Sequence, residues 1–110
     1  MLNYVEQREL AAALFPKCAD KILDGDNCFK IICKTVHAAY PDITPYVQYF
    51  NSEWAYRWAR EIGDREVMID RVTESSWAFY WAMDIGDHEL MGERITEDYW
   101  RIRCEALPNV

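Results

Sequence analysis

An all-α fold of short helical hairpins, stacked into a compact superhelical block, is what this sequence predicts, and three observations predict it. Segments 54–76 (WAYRWAREIGDREVMIDRVTESS) and 77–99 (WAFYWAMDIGDHELMGERITEDY), overlaid at an offset of 23, are identical at 12 positions and conservatively exchanged at five more. A period of roughly 20 to 50 residues marks a supersecondary unit that stacks on its neighbours because one copy cannot bury its apolar face alone. Trp54, Trp58 and Ile62 then recur at i, i+4 and i+8, the spacing of one helical face. Nowhere does polarity alternate over a run long enough to argue for a sheet.

Taken in order, the elements begin with a faded pattern. Leu10 to Phe15, Pro16 to Leu23 and the Asp24-Gly25-Asp26-Asn27 turn follow a helix, break, helix rhythm. With one residue deleted, Ile32 to Glu53 aligns loosely with the repeat, placing Tyr40, Pro41 and Asp42 where Ile62, Gly63 and Asp64 stand. Pro41 and Pro45 break or open helices there. In the first clear copy, a helix of about three turns carries the tryptophans, with Ala55 and Ala59 small enough to admit a neighbouring helix. Gly63 suits the left-handed position that ends a helix, and Asp64 is placed to cap the next one. Val67, Met68 and Val72 supply that second helix's apolar face, and Thr73 to Ser76 provide caps for the following unit. Gly86 and Asp87 repeat the hinge, while Ser52 and Asp98 are further candidate caps. A third copy starts at Trp100 and runs out at Val110, with Cys104 in the place of the second tryptophan. The expectation is seven or eight helices in one domain over 1–110: degenerate hairpins in 1–53, repeats 54–76 and 77–99, and a truncated repeat or cap in 100–110.

Composition excludes several classes. At 110 residues and 51% hydrophobic content the chain can build a core, which rules out a disordered linker or tail. Its longest uninterrupted apolar run, Trp77 to Met83, is far short of the roughly 20 residues a membrane span needs. The N-terminus has neither the basic start nor the long apolar run of a signal peptide, so a cytoplasmic location is expected. Four cysteines form no C-x-x-C pair and are expected as reduced thiols. Of the formal charge of −7, nearly all arises in residues 51–110, with 13 acidic and seven basic side chains. Direct binding to nucleic-acid phosphates is disfavoured, and a basic protein partner is favoured.

The W-A-x-x-W-A-x-x-I-G-D units resemble the short tandem α-hairpin repeats of small bacteriophage and mobile-element proteins, over roughly residues 54–104. That resemblance implies an interaction scaffold and carries over no catalytic residue.

Positions that differ between the copies point to solvent or a partner. Arg57 and Arg60 in the first copy become Tyr80 and Met83 in the second. Either Tyr80 and Met83 pack under the helix that starts at Trp100, or they form an apolar patch beside the two arginines, the composition of an interface centre. Glu66, Asp70 and Glu74 recur at i, i+4 and i+8, and Glu89, Glu93 and Glu97 repeat the pattern. Like charges four apart cost a few tenths of a kcal/mol per pair in a helix. Two readings stand: a solvated face, or an acidic ridge that docks into a basic groove in imitation of a phosphate backbone. Arg71 and Arg94, at matching positions, are placed to pair with nearby acids.

Cys18, Cys28, Cys33 and His37 fall near the spacing of a Cys₃His zinc module. Against that reading, Cys33 and His37 lie in an apolar helical stretch where a thiol acts as a small hydrophobe and His37 as a partly buried residue. Serines 52, 75 and 76 occupy capping or turn slots, and no nucleophile elbow, H-E-x-x-H helix or phosphate-cradling glycine loop is present. The expected function is therefore a non-enzymatic binding module with no cofactor, whose acidic surface occupies and inhibits a basic nucleic-acid-handling host protein, in the manner of anti-CRISPR inhibitors. The rival is a structural unit that forms a homodimer through its Trp-rich end near Trp100 and Ile102.

Overall fold

The structure, a computed structural model, describes residues 3–107, and every regular element among them is helical. Internal contacts divide the chain into two units, residues 1–46 and 47–110. The division falls just before the last residues of the degenerate segment, and each unit has its own core.

In the first unit, α1 (Tyr4–Leu14) opens with a capping box. The Asn3 side chain accepts from the Glu6 N–H at 2.8 Å, and the Glu6 carboxylate accepts from the Asn3 N–H at 3.2 Å. One 3₁₀ turn (Pro16–Cys18) leads into α2 (Ala19–Leu23), and α3 (Phe29–Ala39) follows the 24–27 turn. Phe15, Cys18, Ile22, Ile32, Cys33 and Val36 are buried between them. Arg8, only 5% exposed, donates to the carbonyls of Ile22 (2.8 Å), Asp24 (2.9 Å) and Asn27 (2.8 Å), which fixes that turn against α1. Here the expected rhythm of helix, break and helix is present.

In the second unit, α4 (Ser52–Glu61), α5 (Arg65–Met68), α6 (Ser75–Asp84), α7 (His88–Arg94) and α8 (Asp98–Glu105) follow in order. α6 packs on both α4 and α8, while α5 and α7 fold back on the helices that precede them. Ala55 and Ala78 are fully buried, as a close helix approach requires, and Trp58 and Trp81 are 1% and 0% exposed.

At the hinge the backbone does more than the glycine alone foretells. The Ile62 and Gly63 N–H groups both donate to the Trp58 carbonyl, at 2.8 and 3.2 Å, and Ile85 and Gly86 repeat this on Trp81 at 2.8 and 3.0 Å. Gly63 and Gly86 take φ of +120° and +130°, and the left-handed residues proper are Asp64 (φ 55°) and Asp87 (φ 58°). Each aspartate stands at the N-cap position of the next helix as expected, but its side chain makes no capping bond there, contrary to the sequence expectation. In the left-handed conformation each carboxylate turns back and accepts the indole N–H of the preceding tryptophan: Trp58 to Asp64 at 2.8 Å and Trp81 to Asp87 at 2.9 Å. A fully buried indole N–H needs a partner, and the hinge supplies it. At the corresponding places upstream, Val36 has no such donor, and Asp42 instead accepts from the Thr44 N–H at 3.1 Å.

The second element of each unit is shorter than expected. α5 has four residues, tightens into a 3₁₀ turn (Ile69–Arg71), and ends at Val72 in extended backbone. Met68 and Val72 are buried as foreseen, whereas Val67 faces outward. Ser52 and Asp98 are the first residues of α4 and α8, whose N-caps are Asn51 and Glu97. The buried Ser52 hydroxyl has a different task. It accepts the Thr73 and Glu74 N–H groups at 3.0 and 3.1 Å, holding the entry to α6, and Ser75 does the same for Thr96 and Glu97 at 3.0 and 3.3 Å.

Arg71 and Arg94 face backbone rather than chiefly acids. Arg71 donates to the carbonyls of Gln48 and Phe50, and Arg94 to those of Ile69 and Val72, with Asp70 at 3.6 Å as its one carboxylate contact among the described residues. Ser52 and Ser75 thus make matched bonds to the backbone that follows them, while Arg71 and Arg94 reach back to carbonyls that precede them.

Candidate functional site

Four of the residues that vary between copies come together. Arg57, Arg60, Tyr80 and Met83 line a groove of about 330 Å³ along α4 and α6, with Tyr56, Trp77 and Asp84. Each arginine is held by neighbours. Arg57 pairs with Glu53 at 3.0 Å and lies over the Trp77 ring at 5.5 Å. Arg60 pairs with Glu61 at 3.2 Å and Asp84 at 3.7 Å, and donates to the Tyr56 hydroxyl at 3.0 Å. Tyr56 in turn donates to Asp84. Burial, reinforced by that bond to a carboxylate, raises the Tyr56 pKa, and the Tyr56 hydroxyl raises that of Arg60, so the tyrosine remains a neutral donor and the arginine a cation.

Of Tyr80 and Met83, only Met83 faces outward, at 47% exposure. Tyr80 is half-buried among Tyr56, Trp77, Phe79 and Trp100, with Trp100 at 5.7 Å between ring centroids. Packing under the last helix therefore accounts for Tyr80, because a ring at that register reaches the tryptophan one copy on.

The carboxylates are arranged differently from the two straight ridges that their spacing suggests. All six are exposed. However, Glu66 lies in α5, Asp70 in the 3₁₀ turn and Glu74 at the extended N-cap of α6, because the helix between them is interrupted. Glu97 is likewise the N-cap of α8, which leaves Glu89 and Glu93 as the one pair of each set's neighbours on a shared helix, α7. Those two border a pair of adjoining open depressions. One is lined by Asp87, His88, Glu89, Leu90 and Glu93, and the other by His88, Glu89, Gly92, Glu93, Cys104, Glu105 and Leu107. Asp87 has its carboxyl pKa depressed by the bond from Trp81, then by Arg65 at 2.7 Å. Sequence reading missed Asp87, His88 and Glu105 as companions of the pair. The exchange of Arg65 for His88 was the available signal, since it removes a strong cation beside Glu89.

The cysteine and histidine pattern is not assembled. Cys18 and Cys33 are buried in separate elements, Cys28 and His37 are exposed, and among the described residues no three His, Cys, Asp or Glu side chains group so as to hold a metal ion. His37 is thus on the surface rather than partly buried. α3 turns its apolar face inward through Ile32, Cys33 and Val36, and residue 37 lies one step beyond it. Among the described residues no helix is long and apolar enough to cross a membrane. No protein-family model, curated protein or solved structure matches this chain.

Proposed function

We propose that this chain is a non-enzymatic protein-binding module that takes a basic partner through the acidic trough on α7. The observation that carries this reading is that Glu89 and Glu93 line both of two open depressions, one of which also has Leu90 in its lining and the other Glu105 and Leu107. Lysine or arginine side chains of a partner fit such a surface, their charged ends meeting carboxylates and their methylene stems covering leucine. The wider field agrees, since residues 51–110 hold 13 acidic and seven basic side chains. Opposite charge accelerates encounter and makes binding sensitive to salt. Resemblance of the repeats to those of phage and mobile-element proteins suggests that the partner is a nucleic-acid-handling host protein, which the module inhibits by occupying its basic surface.

Affinity capture from a bacterial lysate tests the proposal. The parent chain should retain a basic protein that elutes steeply as salt is raised, and the Glu89→Lys/Glu93→Lys/Glu97→Lys variant should keep its helical circular dichroism but retain none. Equal retention by both proteins would show that the trough is irrelevant.

A further inference from the structure

We infer that the outward face of α3 docks on α7 of a second copy of this chain. Two five-residue stretches carry one pattern with the charge reversed: Lys30-Ile31-Ile32-Cys33-Lys34 in α3 and Glu89-Leu90-Met91-Gly92-Glu93 in α7. Burial follows that register. Ile32 and Met91 are 1% and 0% exposed, so each helix turns its third position to the core of its own unit. The two end positions are exposed in both stretches, and Ile31 and Leu90 stand out from the surface at 45% and 37%. At roughly 100° per residue, the first, second and fifth positions share the side that faces away from the buried third. Each helix therefore presents two like charges one turn apart, with an apolar residue beside them.

Charge complementarity selects the occupant. α3 contains no acidic residue, and among the described residues none of Lys30, Lys34, Glu89 and Glu93 belongs to an ion pair. In an antiparallel register, Lys30 meets Glu93 and Lys34 meets Glu89 of the second copy, because residues four apart on any helix have the same separation, about 5–6 Å between Cβ atoms. Antiparallel pairing also brings Ile31 and Leu90 to one side of the seam, where each covers the other, whereas parallel pairing sets them on opposite sides. Neither face accepts its own kind, since lysine would meet lysine and glutamate would meet glutamate. Each copy thus gives one face and receives through the other, and association can continue past a dimer. Exposed ion pairs are weak and screened by salt, so the contact forms at high concentration and low ionic strength. It shares Glu89 and Glu93 with the basic-partner reading without depending on it: a second copy and a basic partner compete for these carboxylates.

Sedimentation equilibrium of the whole chain at low salt, from about 10 μM to about 1 mM, tests this. The weight-average mass of the parent should rise reversibly with concentration and fall back in high salt. Lys30→Glu/Lys34→Glu and Glu89→Lys/Glu93→Lys should each keep their helical circular dichroism and associate about tenfold or more weakly, since like charges then face each other. Mixed in equal amounts, the two variants should associate as the parent does, because the acidic α3 of one meets the basic α7 of the other and the two native faces also meet. A parent that stays monomeric, a variant that associates like the parent, or a mixture that stays monomeric would each overturn the inference. A polyglutamate peptide bound through Lys30 and Lys34 by a monomeric parent would assign α3 to another acidic partner and equally overturn it. Lys30→Glu/Lys34→Glu keeps Glu89 and Glu93, so it should still capture the basic protein while remaining monomeric, and the two readings fail separately.

Discussion

At Trp58 and Trp81 a large buried ring carries a single polar atom, and where that atom finds its acceptor decides what the next aspartate does. Trp81→Phe keeps the apolar ring but leaves Asp87 without the indole bond, and should lower unfolding free energy by about 1–3 kcal/mol in urea titration. Acid should expose the same bond. The folded pKa of Asp87 is depressed by Trp81 first and Arg65 second, so its stabilisation is fully present above the ordinary carboxylate range. It is lost as pH falls through the depressed folded value. Urea titrations of parent and Asp87→Asn at neutral pH and at strongly acidic pH should therefore show a gap that closes on acidification. Ser75 raises the matching question for backbone. Ser75→Ala leaves the Thr96 and Glu97 N–H groups without their acceptor beside a buried site, and thermal or urea unfolding should register a loss of about 1–3 kcal/mol.

The elements owe their length to the hinge and to the turn after it. A Cβ added at Gly63 would meet nothing within 4 Å, so any cost of Gly63→Ala comes from backbone at φ +120° rather than from a clash. That region is nearly closed to residues with a side chain, and the expected loss is about 1–3 kcal/mol. Gly92 also has open space at its Cβ position, but it lies inside α7 with ordinary helical backbone. Gly92→Ala should therefore raise stability, by about 0.5–1 kcal/mol, as the same mutation at Gly63 lowers it. Urea titration of the pair checks both signs. Interruption of the helix after Met68 also explains why the carboxylate spacing misleads: i, i+4, i+8 defines a ridge only while one helix continues, and Val72 has already left it.

On the scale of the whole chain, the second unit holds its own core of Trp58, Met68, Val72, Phe79, Trp81, Met91 and Ile95. Expressed alone, residues 47–110 should keep a cooperative urea transition and near-ultraviolet tryptophan dichroism, and a gradual, structureless melt would show that this core is insufficient. Cys18 and Cys33 pack in the core of the first unit, whereas Cys28 is exposed. Burial raises the Cys18 thiol pKa, while backbone N–H groups at the start of α3 lower that of the exposed Cys28. An alkylating probe at mildly basic pH should accordingly label Cys28 well before Cys18.

Much of this protein was legible without coordinates. The 23-residue repeat carried the helical class, the tryptophan face, the buried alanines and the break at Gly63 and Gly86, because these depend on local periodicity and on conformations that few residues adopt. Other features had no local signature. That Asp64 serves an indole behind it, that Ser52 holds backbone that follows it and Arg71 carbonyls that precede it, that Tyr80 is covered, and that Glu89 and Glu93 alone keep a common helix are all outcomes of tertiary packing. Each is decided by which partner lies within hydrogen-bonding or van der Waals reach once the chain has folded, and that distance is a property of the fold rather than of spacing along the sequence.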